Sequence, residues 1–257
     1  MPRSLVLFLV LGAAALPPPP LEAQVNIERF RRADRDTGWT AVSTVDLSLR
    51  AGNEELVLVG LSGRIDHVGA ATRSLVLASG DLGWQRGRRF SNRGLLHLRR
   101  TFLTPRAVHP EAFVQIDYDR ARALAFRALV GTGPRVELVQ GGGARLALGT
   151  AYMLEHERLD LPATALHPRR TTHHRWSSYL AASFGSGERL AAGLTAYVQP
   201  RLGDFGDVRL LADGSVAARA GGPASLALTL ALRYDSRPPD GTRSLDATLK
   251  SGVAIEW

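Results

Sequence analysis

The sequence predicts an all-β protein: a transmembrane, antiparallel, up-and-down β-barrel of about twelve strands. Three observations predict it. The last stretch alternates strictly, with Leu245, Ala247, Leu249, Ser251, Val253, Ile255 and Trp257 apolar or small and Asp246, Thr248, Lys250 and Glu256 between them. That period of two puts one greasy and one polar face on a single strand. Similar alternating runs, each closed by a break rich in Gly, Pro, Asn or Asp, tile the chain from Trp39 onward. An export signal precedes them all.

The N-terminus comes first. Arg3 is followed by an apolar run from Leu5 to Leu16, then prolines 17–20, then a small residue, Ala23, before Gln24. A basic start, a short greasy segment and a small-residue cut site read as a signal peptide over 1–23. The run is shorter than the ~20 apolar residues that a spanning helix requires. Residues 24–38, with Glu28, Arg29, Arg31, Arg32 and Asp34, read as a polar periplasmic segment ahead of a barrel over 39–257.

The alternating runs lie near 39–50, 55–67, 74–86, 93–103, 111–119, 123–137, 145–157, 173–184, 190–199, 207–219, 224–235 and 244–257. A membrane β-strand needs ~9–11 residues, which these lengths match. The sharpest run sets Leu226, Leu228, Leu230, Leu232 and Tyr234 against Ala227, Thr229, Ala231, Arg233 and Asp235. With the N-terminus in the periplasm, the inner connections are tight turns at 141–143, 185–188 and 221–223. The outer ones include 158–172, 200–206 and 236–242, and short inner turns with longer outer loops are the barrel asymmetry. Trp39 and Trp257 fall at the inner rim, and Trp84, Trp176 and Tyr234 toward the outer one, as two aromatic belts.

Composition narrows the function. The chain has no cysteine, so disulfide frameworks and cysteine-ligated metals are excluded. Its net charge is +8, and Lys250 is the sole lysine among the cations. A basic balance suits nucleic acid or phosphate-bearing lipid, and export favours the lipid. The histidines lack metal-ligand spacing, and the glycines at 141–143 lack the Lys-Ser/Thr of a phosphate loop, so neither metal nor cofactor is expected.

The polar side of the strands carries the informative constellation. Arg64, Arg99, Arg127, Arg175, Arg209, Arg233 and Lys250 share the luminal phase with Asp66, Asp117, Asp119, Glu155, Glu157 and Asp246. A cation at mid-membrane on the lipid face costs ~2–4 kcal/mol, so these charges belong inside, where arginine and carboxylate can pair. The surplus arginines fall in the loops. Among them Arg88, Arg89, Arg169 and Arg170 are candidate contacts for lipopolysaccharide phosphates. Val253, Ile255 and Trp257 form the candidate insertion signal for the barrel-assembly machinery.

In order along the chain come Gly52-Asn53, then Asn92-Arg93 with His97 and Arg99, then Phe113-Val114-Gln115. Arg175 with Ser178-Tyr179, Tyr197 with Gln199-Pro200, Asp207 with Arg209, and the segment 234–241 followed by Asp246 complete the series. On these residues the chain resembles the YdiY-like outer-membrane barrels, catalogued as domain of unknown function 481 (DUF481). Val208 stands where that family has an aromatic residue, and Trp257 where it usually has Phe. The resemblance covers most of the chain after Val25 and implies a barrel in the outer membrane of a Gram-negative bacterium, with no established activity.

The expected role is therefore a narrow, porin-like, ion-pair-lined pore or a structural barrel, not an enzyme and not a nucleic-acid binder. Two rivals remain. An outer-membrane lipid-modifying hydrolase would draw on His173, His174, Ser177 and Ser178, which needs a serine hydroxyl within reach of an oriented histidine. A soluble secreted β-domain binding a ligand would show alternating strands as well.

Overall fold

The computed structural model describes residues 37–255, apart from 187–189 and 222–223. The expected signal peptide, nearly all of the N-terminal segment, and Trp257 lie outside the described residues. Twelve strands follow one another: β1 (Gly38–Arg50), β2 (Leu56–Val68), β3 (Thr72–Gln85), β4 (Arg88–Phe102), β5 (Val108–Asp119) and β6 (Leu124–Gly141). Then come β7 (Ala144–Leu159), β8 (Arg170–Ser186), β9 (Leu190–Arg201), β10 (Asp204–Gly221), β11 (Ala224–Asp235) and β12 (Leu245–Ile255). Each pairs antiparallel with the next, giving one sheet in sequence order.

The alternation that predicted the strands also sorts their faces. On β5, Val114 and Ile116 are exposed while Gln115, Asp117 and Asp119 are buried. On β7, Leu148 and Tyr152 are exposed while Glu155 and Glu157 are buried. Successive side chains of a strand point to opposite faces, so each run exposes its apolar half and buries its charged half. The arrangement inverts that of a water-soluble sheet.

The charged face is concave. Tyr179 of β8 donates to Glu111 of β5 at 2.8 Å, and Arg209 of β10 reaches Glu155 and Glu157 of β7. Contacts between strands three places apart require a tightly curled sheet. Where the sequence predicts a closed barrel, β1 and β12 each have one strand neighbour among the described residues, and the curl is open there.

Several strands run past their predicted ends. β4 starts at Arg88 because Arg86 and Gly87 both take positive φ, 47° and 72°, and make a two-residue hairpin turn. The predicted loop over 200–206 is mostly strand: β9 ends at Arg201, β10 begins at Asp204, and the ladder shifts register between Asp204 and Val208. The predicted 158–172 loop shortens to 160–169. These extensions do not alternate, as Arg88, Phe90 and Asn92 on one face of β4 show, which hides them from any search for alternation. One 3₁₀ turn, Arg120–Arg122, joins β5 to β6; Asp119 caps it by accepting from the Ala121 amide at 3.0 Å.

Candidate functional site

The concave face gathers its charges into a belt. Asp117, Arg127 and Glu157 stand side by side on β5, β6 and β7, because the register sets Asp117 opposite Arg127 and Arg127 opposite Glu157. Such cross-strand neighbours are the pairs that stabilise a sheet. Arg127 forks onto Asp117 at 2.9 and 2.8 Å. Arg209 then spans from β10 to β7: its two terminal nitrogens meet the two Glu157 oxygens at 3.0 Å each, and Nη1 also donates to Glu155 at 2.6 Å. Its Nε donates to Asp235 at 2.9 Å.

Arg175 extends the belt, donating to Glu155 and to Asp207, each at 2.9 Å. The side chains of Arg175 and Glu155 are each 1% exposed, so both charges are stripped of water and rely on one another. Buried charges persist only when paired and hydrogen-bonded. Arg233 with Asp213 and Arg64 with Asp66 form further pairs on the same face.

A second cluster sits nearer the opposite end. Glu111 accepts from Thr101 at 2.7 Å and from the Tyr179 hydroxyl at 2.8 Å. Arg135 donates to that hydroxyl at 2.9 Å, and the Arg99 guanidinium lies 5.6 Å from the Tyr179 ring centre. His97 and Gln115 bond at 3.1 Å. The space beside them, bounded by Met153, Tyr197 and Leu211, measures about 50 Å³. It has room for one or two waters, whose share of liquid volume is ~30 Å³ each.

Tyr179 reaches this position because Gly149, opposite it in the register, has no side chain: a Cβ there would stand 2.1 Å from the ring. Gly149→Ala is therefore expected to displace Tyr179 from Glu111 and to destabilise the fold by about 1–3 kcal/mol, the usual effect of overpacking. A urea-unfolding midpoint unchanged from the parent protein would contradict this.

The predicted residues fall as follows. Arg64, Asp66, Arg99, Asp117, Asp119, Arg127, Glu155, Glu157, Arg175, Arg209 and Arg233 are all buried on the concave face. Asp246 is half-buried and pairs with Arg122. Lys250 stands opposite Thr229, and Val253 and Ile255 pair with Leu226 and Ala224 on β11. Arg88 and Arg89 are exposed beside the β3–β4 turn, with Arg89 5.2 Å over the Trp84 ring. Arg169 and Arg170 are exposed at the start of β8, at the same end of the sheet.

Sequence reasoning missed four partners. Glu111, Asp207 and Tyr179 share the phase of Asp117, Arg209 and Arg175, so the period of two held the signal. Arg122 crosses to Asp246; it sits in a turn, outside any alternation. The hydrolase residues do not converge. Ser177 accepts from Gln199 at 3.1 Å, Ser178 bonds Thr150 at 3.0 Å, and His174 bonds Tyr152.

A protein-family model described as a protein of unknown function, DUF481, matches residues 45–257. No curated protein matches the chain.

Proposed function

The chain belongs to the DUF481 family of proteins of unknown function, and we propose that it is a Gram-negative outer-membrane β-barrel whose lumen is sealed by ion pairs. It is a structural barrel, not an open pore and not an enzyme. The inverted surface carries this reading: Leu98, Val114, Ile116, Val130, Leu148 and Val198 are all more than 40% exposed, while eleven of the predicted charges are buried. Soluble monomers seldom expose large contiguous apolar patches to water. In hydrocarbon such a surface is the favourable one.

The same argument closes the barrel. An unpaired strand edge in a bilayer leaves backbone N–H and C=O groups unsatisfied, each at a cost of several kcal/mol, so β1 pairs with β12. An even strand count brings these two together antiparallel. Export by the 1–23 signal, and insertion by assembly machinery that reads Val253, Ile255 and Trp257, complete the route. At the outer rim Arg88, Arg89, Arg169 and Arg170 contact lipopolysaccharide phosphates through forked hydrogen bonds.

The test is conductance. The purified protein in a planar bilayer is expected to give no resolved channel current, because Arg209, Arg175 and Arg127 each face carboxylates and together block the lumen. A wide, strongly anion-selective channel would overturn the sealed lumen.

A further inference from the structure

The loop between β11 and β12, residues 236–244, roofs a cleft of about 310 Å³ that the ion-pair belt does not fill. That volume lies at the lower end of small-molecule sites, ~300–1,000 Å³. Arg127, Arg209 and Arg233 line its floor, and Arg122 and Arg243 complete the lining. Three carboxylates oppose them, and each is already engaged: Glu157 by Arg127 and Arg209, Asp235 by Arg209, and Asp246 by Arg122. Arg243 has no carboxylate partner among the described residues. Burial, together with the positive charges of Arg127 and Arg233, outweighs Asp119 and Asp235 and holds the Arg122 guanidinium below its ordinary pKa. Asp117, Glu155 and Asp213 also match Arg127, Arg209 and Arg233 from behind, so the unmatched positive charge of the lining is that of Arg243.

Its roof is preformed. The Thr242 amide and hydroxyl both donate to the Pro239 carbonyl, at 3.0 and 2.7 Å, and Gly241 takes φ +80° to make the turn. Asp240 ties the loop to its neighbour by accepting from the His167 amide at 2.7 Å. Tyr234, Pro238 and Pro239 add flat apolar walls of the kind that pack on a sugar ring.

We propose that this cleft binds a phosphate monoester carried on a sugar, the phosphate neutralised by Arg122 and Arg243 and the sugar lying against Pro238 and Pro239. Guanidinium forks match phosphate geometry, and the space exceeds what a lone phosphate fills. The site needs only the curled sheet and its loop, so it stands or falls apart from the membrane reading.

Titration calorimetry of the full-length protein in detergent with glucose 1-phosphate tests it. Saturable binding is expected, weakened at least about tenfold by Arg243→Gln, the loss of one charge-assisted hydrogen-bonding partner. Arg158→Gln, which removes one exposed charge at the same end of the sheet, on β7 outside the cleft, is expected to bind like the parent. An unchanged β-sheet circular dichroism spectrum shows that each variant is folded. Displacement of glucose 1-phosphate by lipopolysaccharide, but not by its dephosphorylated form, identifies a lipid headgroup as the source. Binding without displacement identifies a soluble sugar phosphate. An absence of saturable binding, or equal weakening in the two variants, overturns the proposal. An outer-membrane protein that binds nothing would leave the barrel reading intact.

Discussion

Arg209→Met is expected to destabilise the folded protein by about 3–5 kcal/mol, the cost of leaving buried charges without their partner. Arg209 serves three carboxylates at once, and its loss leaves Glu155 and Glu157 with Arg175 and Arg127 alone and removes the guanidinium that pairs Asp235. Glu155 and Glu157 are 1% and 4% exposed, so water cannot replace the guanidinium. Adding Glu157→Gln to Arg209→Met removes one of the stranded charges and is expected to recover part of the loss. Urea unfolding in lipid vesicles measures both. Equal destabilisation by single and double variants would mean that the belt is not the coupled network described above.

Leu228→Arg is expected to cost about 2–4 kcal/mol, whereas Thr229→Arg one residue away is tolerated. Leu228 shares its face with Leu226 and Leu230, and all three are exposed. Thr229 has the opposite phase, in register with Lys250 and on the face that carries Arg233. A guanidinium at 228 would enter hydrocarbon, while one at 229 would join the charged interior. The readout is the fraction of protein assembled in the outer membrane. Equal effects at the two positions would refute either the register or the lipid environment.

The strands were legible because a sheet with an exposed apolar face and a buried face of paired charge must alternate at every step. The buried phase of Asp117, Glu155, Glu157, Arg175 and Arg209 came from that rule alone. Strand ends were not legible: at Arg88-Arg89 and at Arg201 to Gly206 neither face is buried, and nothing enforces a period. Nor could the sequence say which charge meets which. Arg127 finds Asp117 through register, whereas Arg209 finds Glu157 only because the sheet curls enough to bring β10 over β7. The same curl carries Arg122 to Asp246, 124 positions away.

The central claim is that the curled sheet closes on itself in the membrane, and cysteine cross-linking between β1 and β12 tests it most directly. The native chain has no cysteine, so every disulfide seen is an engineered one. Val45→Cys, on the exposed face of β1, would be combined in turn with Leu245→Cys, Ala247→Cys, Leu249→Cys and Ser251→Cys on β12. A disulfide forms only when the two Cα atoms come within about 4.4–6.8 Å. Closure predicts efficient intramolecular cross-linking, in membranes, at a single register. Cross-links found only between separate copies, or at no register at all, would contradict the barrel.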